Sequence, residues 1–147
     1  MEQNFKIITP VYNSEEWIGK CIQSVKDQTH KDFIQVIVDD CSTDNTVEEV
    51  KKVIGEDKRF ILIENGVRVG VPLNQKRGVE SLLRNPEDII VHLDGDDWFY
   101  NEHTLAKVAL VYDESSCWLT YGSYKSTNGK EEVAREYSNN PRQAVLD

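Results

Sequence analysis

Three carboxylates lie within four consecutive residues, in the segment Asp94-Gly95-Asp96-Asp97. Such close like charges repel one another unless a cation neutralises them. Carboxylate oxygens are the ligands that hard ions such as Mg²⁺ and Mn²⁺ prefer, and a metal held here could bridge to the oxygens of a diphosphate. An acidic turn without a ligand is the alternative, because Asp and Gly are common turn residues. The apolar run before the cluster, and Trp98 and Phe99 after it, favour the metal site.

A second acidic pair, Asp39-Asp40, also follows an apolar run. One of these carboxylates could accept a hydrogen bond from the N–H of a base such as uracil. The polar residues that come next, Ser42–Asn45, suit the start of a helix, where acidic side chains are favoured. We expect both roles to be present: Asp40 is the better ligand candidate, and Asp44 and Thr46 are structural.

Two further segments supply candidate contacts. Pro10 ends the first apolar run because it lacks a backbone N–H, and Tyr12 could either stack on a base or pack at the rim of a sheet. The glycine-containing segment 65–78 carries three cations, which are Arg68, Lys76 and Arg77. Beside a diphosphate these groups could bind anionic oxygens. The alternative is that they are solvated surface charges.

Four short apolar runs, rich in Ile and Val, are separated by segments of helical length. They are Phe5–Ile8, Phe33–Val38, Phe60–Ile63 and Asp88–Leu93. Nearly continuous runs of this kind are typical of parallel strands that are buried on both faces and joined by crossover helices. The sequence therefore predicts an α/β fold with an open, mostly parallel sheet flanked by helices in three layers.

The intervening segments have helical periodicity. In the first, Asn13 or Ser14 is the predicted cap with Glu16 as its partner. Its inward face is predicted to comprise Trp17, Ile18, Cys21, Ile22 and Val25. The later helices are predicted from Val47, Val50, Val53 and Ile54, from segment 74–84 with Val79, Leu82 and Leu83 inward, and from segment 102–112 with Leu105, Val108, Ala109 and Tyr112 inward. A further strand near Cys117–Tyr124 and a polar tail with little pattern, Ser126–Asp147, complete the chain.

The polar clusters all follow predicted strands. Ligands of open α/β sheets bind at the carboxyl ends of the strands. The clusters after the first, second, third and fourth strands are therefore expected to meet at one rim and to form one site.

Composition excludes several classes of function. The 147-residue chain carries a net charge of −9, which disfavours nucleic acid as a partner. It has no signal peptide and no run of about 20 apolar residues, so we expect a cytoplasmic protein, peripheral at a membrane if its acceptor is lipid-linked. Three widely spaced cysteines without a CxxC pair predict buried, reduced thiols and no zinc site.

Three ordered motifs resemble those of glycosyltransferase family 2, a group of inverting enzymes with the Rossmann-like GT-A fold. They read IITPVYNSEEWIGKCIQSVKDQTHKDFIQVIVDDCSTDNT, then NGVRVGVPLNQKRG, then IIVHLDGDDW. The similarity runs from about Phe5 to Tyr124. It implies a GT-A nucleotide-sugar-binding domain over residues 1–125, followed by a tail over residues 126–147 that would be a truncated acceptor region.

The resemblance also implies roles for individual residues. Asp40 would contact the base, Asp94 and Asp96 would form the DxD motif, and Asp96 would lie nearest the metal with Asp97 assisting. The implied nucleotide-sugar site comprises Pro10, Val11, Tyr12, Asn13, Asp39, Asp40, Asn74, Lys76, Arg77, Asp94, Gly95 and Asp96. In the third motif, Gln75 and Lys76 stand where the family often has Arg and Asn, and Lys76 or Arg77 could compensate.

The implied activity is a glycosyl transfer that depends on Mn²⁺ or Mg²⁺ and serves polysaccharide biosynthesis. The donor would be a nucleotide-diphosphate sugar, with UDP favoured, and the acceptor a hydroxyl of a glycan, lipid or protein. No general base is assigned, because Glu131, Glu132, Glu136 and Asp147 have no motif context. A module that binds the donor without transfer is the alternative, and a homodimer or a partner chain is left open. A nucleotidyltransferase is disfavoured, since TPVYNSEEW is not a glycine-rich basic loop.

Overall fold

The structure, a computed structural model, describes residues 4–82, 85–115, 117–122, 124–126, 131–132 and 143–146. The chain divides into two compact units, residues 2–102 and residues 103–147. The predicted domain boundary after residue 125 stays a prediction.

The first unit alternates strands and helices. Its elements are β1 (Phe5–Val11), α1 (Ile18–Lys26), β2 (Phe33–Asp39), α2 (Thr46–Ile54), β3 (Phe60–Glu64), α3 (Val71–Leu82) and β4 (Ile89–His92). The strands form one sheet in the order β3-β2-β1-β4, and every pairing is parallel. The predicted α/β fold with a parallel sheet is confirmed.

The strand order places the helices on both faces of this sheet. From β1 to β3 the chain moves towards one edge, and from β3 to β4 it returns across the sheet. Right-handed crossovers therefore put α1 and α2 on one face and α3 on the other. Both faces of β1 are covered, and all seven of its residues are buried. This is why its sequence is a nearly continuous apolar run.

A glycine sets how closely α3 approaches β1. The residues Asn74, Gly78 and Leu82 recur every four positions and form the buried side of α3. A Cβ atom at Gly78 would lie 2.4 Å from Cγ2 of Ile8 on β1. Because Ile8 is fully buried in the sheet core, it has little room to move away. Only glycine lets the helix backbone pack at this distance.

The amino end of the sheet is held by a buried ion pair. Lys6 Nζ lies 3.8 Å from Asp88 Oδ1, and the two side chains are only 7% and 4% exposed. The same ammonium group donates a hydrogen bond of 2.6 Å to Asn4 Oδ1. These groups stabilise the end of the sheet that lies away from the polar clusters.

The first predicted helix begins later than expected. Helix α1 starts after Trp17, which makes no side-chain capping bond. Asn13 has a left-handed backbone (φ 50°), and its side chain accepts a hydrogen bond from Thr43 in the loop after β2 instead of capping α1. The hydroxyl of Ser14 donates to the carbonyl of Tyr12 (3.3 Å), and its N–H donates to Thr46 at the start of α2. The predicted cap with Glu16 was therefore wrong, because other partners bind both residues. Trp17 is 38% exposed and stacks on Trp98 rather than facing inward.

The other helices differ from expectation in smaller ways. Helix α3 begins at Val71, three residues before the predicted start, and Leu83 lies outside the described residues. In α2, Val50 is buried, whereas Val47, Val53 and Ile54 are only partly so.

Among its described residues, the second unit contains one helix and four short strands. They are α4 (Thr104–Glu114), β5 (Leu119–Gly122), β6 (Tyr124–Lys125), β7 (Glu131–Glu132) and β8 (Gln143–Leu146). Strand β8 pairs in parallel with β5, and β7 pairs antiparallel with β6. Strand β5 confirms the strand predicted near Cys117–Tyr124. Strands β7 and β8 lie in the predicted polar tail, where the sequence has little pattern, because such short strands are defined by distant partners and not by local periodicity. Within the described ranges, no helix is long and apolar enough to cross a membrane.

We predict that Gly78→Ala destabilises the protein by about 1–3 kcal/mol, because the added methyl group overpacks Ile8. This cost must exceed the gain of about 1 kcal/mol that alanine normally brings to a helix interior. Urea unfolding measures the difference. Gly66→Ala is the matched control, since nothing lies within 4 Å of a Cβ at that position. Equal stability of the two variants would contradict the close packing of α3 on β1.

Candidate functional site

A cleft of about 260 Å³ opens at the carboxyl ends of the strands. It is lined by Pro10, Val11, Tyr12, Ser14, Asp40, Arg68, Gly70, Val71, Asn74, Asp94, Gly95 and Asp96. Eight of the twelve predicted binding residues are in this set: Pro10, Val11, Tyr12, Asp40, Asn74, Asp94, Gly95 and Asp96. The other four, which are Asn13, Asp39, Lys76 and Arg77, are not.

Backbone hydrogen bonds continue past the ends of the strands and bring the four polar clusters side by side at the same edge of the sheet. The N–H of Asp40 donates to the carbonyl of Val11 (2.8 Å), and the N–H of Asn65 donates to the carbonyl of Asp39 (3.0 Å). On the other side of β1, the N–H of Leu93 donates to the carbonyl of Ile8 (3.1 Å). The loops after all four strands therefore start from neighbouring positions, as the sequence predicted.

The acidic turn packs directly on the end of β1. A Cβ atom at Gly95 would lie 2.4 Å from Cγ1 of Val11 and 3.4 Å from the carbonyl oxygen of Pro10. Glycine is thus required between the two aspartates for a steric reason. The N–H of Asp97 donates to the carbonyl of Asp94 (3.0 Å) and closes the turn. This geometry leaves the side chains of Asp94 and Asp96 exposed at the cleft.

Asp97, the third predicted metal ligand, does not line the cleft. Its partial burial raises its pKa, and the charges of Asp96 and Asp94 raise it further. In the part of the chain that the structure describes, no group of three His, Cys, Asp or Glu side chains is arranged to hold a metal ion. Two carboxylates, those of Asp94 and Asp96, therefore remain as the candidate protein ligands at the rim.

Asp40 anchors the loop that follows β3. Its buried carboxylate accepts hydrogen bonds from the N–H groups of Val69 (2.7 Å) and Gly70 (2.9 Å) and from Nδ2 of Asn65 (3.2 Å). Burial raises the pKa of Asp40, but these bonds and a further one from Asn74 outweigh that effect and hold the pKa below its ordinary value. The charged carboxylate fixes residues 65–70 against the end of β2.

Arg68 contributes a cation that the predicted set of binding residues lacked. Its guanidinium carbon lies 3.7 Å from the ring centroid of Tyr12, and its Nε lies 3.7 Å from Oδ2 of Asp40. No apolar pattern in the sequence signals this choice of cation, which follows from the position of helix α3. Arg68 precedes α3, whereas Lys76 and Arg77 lie on a helix whose inward positions are Asn74 and Gly78.

The two other cations point elsewhere. Lys76 Nζ lies 3.7 Å from Glu80 Oε1 on the exposed side of α3, and Arg77 donates from Nη1 to Oδ1 of Asn65. Their inclusion in the predicted site is not supported by the lining of the cleft.

Asn13 and Asp39 build the loops beside the cleft. Asn13 receives a hydrogen bond from the N–H of Thr43 (2.8 Å), and its own N–H donates to Oγ of Ser42 (2.9 Å). Asp39 accepts from the N–H of Ser42 (3.0 Å). Asn13 joins the loop after β1 to the loop after β2, and Asp39 closes the start of the loop after β2.

The structural roles predicted for Asp44 and Thr46 agree with their contacts. Asp44 accepts hydrogen bonds from the N–H of Thr46 (3.0 Å) and of Glu15 (3.2 Å). Burial raises the pKa of Asp44, and these bonds together with that of the Thr46 hydroxyl lower it below its ordinary value. Thr46 in turn accepts from the N–H of Ser14 (2.7 Å).

The cleft combines three kinds of binding group. Tyr12 and Arg68 form a flat wall that suits an aromatic ring. Gly70 and Val71 bring the amino end of α3 to the cleft, and the N–H groups of a first helical turn favour an anion. Asp94 and Asp96 favour a cation. An aromatic base, an anionic linker and a cation are the components of a nucleoside diphosphate bound with a divalent metal.

Comparison with known proteins decides the family. The sequence profile described as "Glycosyl transferase family 2" matches residues 6–145, nearly the whole chain. The chain belongs to glycosyltransferase family 2.

Two family relatives show how much of a whole enzyme this sequence matches. Glycosyltransferase GlyA of Streptococcus pneumoniae is 30% identical over 133 residues, which make up 89% of this chain and 18% of GlyA. The poly(ribitol-phosphate) beta-N-acetylglucosaminyltransferase TarS of Staphylococcus aureus is 31% identical over 130 residues, 86% of this chain and 22% of TarS. The chain thus spans about a fifth of these relatives.

The family fold is also seen in a solved structure. The crystal structure of S. aureus TarS 1-349 in complex with UDP-GlcNAc matches with a TM-score of 0.74 and 26% identity. The match covers 94% of this chain and 39% of that chain. The predicted GT-A fold and the predicted family are both confirmed.

The three cysteines of this family 2 chain differ in exposure. Cys21 is buried, Cys117 is partly buried and Cys41 is exposed, and all three are free thiols. The prediction of buried thiols is therefore correct for Cys21 and wrong for Cys41. Cys41 lies in the loop after β2 with a left-handed backbone (φ 64°), which carries its side chain to the surface.

We predict that iodoacetamide at pH 8 alkylates Cys41 in the native protein and leaves Cys21 unmodified. Burial raises the pKa of Cys21 to about 12 and also blocks access to it, so the reactive thiolate is scarce there. Peptide mass spectrometry measures the modification at each site. Unfolding in urea is the control, in which both residues should react. Native alkylation of Cys21 at the rate of Cys41 would contradict the packing of α1 on the sheet.

Proposed function

We propose that this chain binds the donor of a glycosyl transfer, a nucleotide-diphosphate sugar held together with a divalent metal ion, and that the enzyme passes the sugar to an acceptor hydroxyl. The observation that supports this most directly is the cleft itself. In a family 2 chain, it joins the Asp94–Asp96 turn, the Tyr12–Arg68 wall and the amino end of α3 within about 260 Å³.

The nucleoside would occupy the side of the cleft formed by Tyr12 and Asp40. A base can stack on the Tyr12 ring, and the Arg68 guanidinium over that ring can pair with a phosphate beside it. The carboxylate of Asp40 already accepts bonds from Val69, Gly70 and Asn65, so a base N–H would share an acceptor that the loop uses. Direct contact of Asp40 with the base stays a prediction.

UDP is the nucleotide that we favour. The supporting observation is the match to a TarS structure that contains UDP-GlcNAc. The acceptor would be a hydroxyl of a glycan, lipid or protein, and the similarity to TarS, a poly(ribitol-phosphate) beta-N-acetylglucosaminyltransferase, supports a polymer that carries hydroxyl groups.

The residues at the rim fit a Mn²⁺ or Mg²⁺ ion. Asp94 and Asp96 offer hard oxygen ligands on a turn that Gly95 holds against β1. Mg²⁺ commonly binds through one or two carboxylates, with water and substrate phosphates completing its shell, so two carboxylates suffice. When bound, the ion would neutralise charge on the departing diphosphate. Asp97 is not needed as a third ligand in this arrangement.

The residues of this chain would contribute binding and orientation. Arg68 and the N–H groups of Val71 and Leu73 at the start of α3 would hold the diphosphate, since Pro72 has no N–H and that of Gly70 donates to Asp40. The fixed loops around Asp40 would hold the nucleoside against Tyr12. Inversion at the sugar also needs a base that removes the proton of the acceptor hydroxyl. We assign no residue to that role: Glu131 and Glu132 form β7, and Glu136 and Asp147 lie outside the described residues.

We predict that Asp96→Asn removes most of the Mn²⁺-dependent increase in UDP affinity, because the amide carries no charge for the ion. Calorimetric titration of UDP in Mn²⁺ and in EDTA measures that increase. Asp27→Asn, at the end of α1 away from the cleft, changes the net charge equally and should bind as the unmutated chain does. Unchanged Mn²⁺ dependence in Asp96→Asn would exclude this residue as a ligand. Mn²⁺-dependent UDP binding without sugar transfer would indicate a donor-binding module.

We predict that Arg68→Ala weakens UDP binding by about tenfold, equivalent to about 1.4 kcal/mol, because it removes both the cation and the cover over Tyr12. Lys76→Ala is the matched control: its side chain is 67% exposed, against 64% for Arg68, but it lies on the outer side of α3. The measurement is again calorimetric, with UDP and with pyrophosphate. Equal losses in the two variants would indicate a general charge effect and not a contact in the cleft.

A further inference from the structure

One side of helix α1 carries polar groups that bond to the segment following β4. Cys21, Ser24 and Gln28 recur at spacings of three and four residues, and therefore lie along one side of the helix and its extension. Each of them, and Thr29 after them, contacts the backbone of residues 94–102. We call this set the α1 polar stripe.

The contacts occur in the same order along residues 21–29 and along residues 94–102. The thiol of Cys21 donates to the carbonyl of Asp94 (3.7 Å), and the N–H of Phe99 donates to Oγ of Ser24 (3.1 Å). Further along, Nε2 of Gln28 donates to the carbonyl of Asn101 (2.8 Å).

Thr29 ends the stripe with two bonds to a single carbonyl. Its N–H (2.8 Å) and its hydroxyl (3.1 Å) both donate to the carbonyl of Glu102. The segment that begins at the acidic turn is thus attached at four points over nine residues, two on α1 and two on the residues that follow it.

Burial shows that Gln28 is committed to this role. Gln28 is fully buried, and a buried amide is costly unless it is hydrogen-bonded. Its Nε2 also donates to the carbonyl of Ser24, which completes the end of α1. That bond alone would make Gln28 a cap for its own helix. The second bond, to Asn101, extends its role to the segment after the acidic turn.

The acidic turn needs such support for a physical reason. Asp94 and Asp96 carry like charges at the cleft, and repulsion favours their separation when no cation is present. Packing of Gly95 on Val11 fixes the turn only from the side of β1. The bonds of Cys21 and Ser24 hold the same segment from the side of α1, so together the contacts restrain the turn from two directions.

We propose that the α1 polar stripe positions the acidic turn for its divalent cation, with Ser24 as the principal positioning residue. The proposal rests on the proposed function, since the cation is the ligand of that site. Residues that orient the ligands of a metal typically change its affinity by about 10- to 100-fold when they are replaced.

The test compares two serines that are alike except for this contact. The hydroxyls of Ser24 and Ser81 both donate to the carbonyl three residues earlier at 2.7 Å, and both are part-buried on helices. In addition, Ser24 accepts from Phe99. Ser24→Ala and Ser81→Ala therefore remove the same local bond, and only the first frees the amide of Phe99.

Two readouts are expected to change in Ser24→Ala alone. Amide hydrogen exchange of Phe99 in metal-free protein should accelerate by about tenfold or more, because its acceptor is lost. The Mn²⁺ concentration for half-maximal UDP binding should rise by about tenfold. Binding of UMP in EDTA should stay unchanged, because the Tyr12 side of the cleft does not depend on the stripe. Ser24→Thr, which keeps a hydroxyl, should restore both readouts.

Each outcome bears on the proposal. Equal Mn²⁺ dependence in Ser24→Ala and Ser81→Ala would overturn the positioning role. If Ser24→Ala fails to fold, Ser24→Cys keeps the size of the side chain but is a weak acceptor, and the same loss of Mn²⁺ affinity is expected from it. Absence of Mn²⁺-dependent UDP binding in the unmutated chain would overturn the proposed function and the positioning role together. Faster Phe99 exchange with unchanged Mn²⁺ dependence would show a structural contact only, and would also overturn the proposal.

Discussion

The pairing of β1 with β2 on one side and β4 on the other is the constraint on which the site depends. The register of these parallel pairs fixes which residues are level with one another, and the ladder continues beyond the strands to Asp40, Asn65 and Leu93. Because parallel strands end at the same edge, loops that are far apart in sequence start within a few ångströms of each other. A slip of one residue in β1 would exchange the side chains that face the two layers of helices and would separate the acidic turn from Val11.

Given that register, each loop is held by a different kind of bond. The buried carboxylate of Asp40 accepts hydrogen bonds from the backbone N–H groups of Val69 and Gly70. Side chains such as Asn13 and Asp44 join the loops after β1 and β2. The acidic turn relies on steric contact at Gly95 and on the α1 polar stripe. Bonds within the chain therefore hold the loops around the cleft, and such preorganisation lowers the ordering cost of binding.

The sequence predicted the sheet and the rim well, because both depend on local pattern. Apolar runs identified the four strands, and the rule that ligands bind at strand ends brought Tyr12, Asp40 and Asp94 to one place. Errors arose where a distant partner decided the outcome. Asn13 is a residue type that often caps helices, but it forms hydrogen bonds with Ser42 and Thr43 instead. To predict which of the three cations lines the cleft, one must know which side of α3 is buried. That side includes the polar residue Asn74, so a pattern of apolar residues does not reveal it. The strand at Gln143–Leu146 depends on its pairing with β5 and has no local signal.

The buried pair of Lys6 and Asp88 lies at the opposite end of the sheet from the cleft. The two ends of the strands therefore have different roles, with a stabilising ion pair at the amino end and the cleft at the carboxyl end. Their amino ends and interior determine whether the chain folds, and the loops at their carboxyl ends determine what it recognises. A library that randomises Tyr12, Arg68 and Val71 would vary recognition while leaving the folding determinants intact. This arrangement makes the domain a suitable starting point for engineering what the cleft binds.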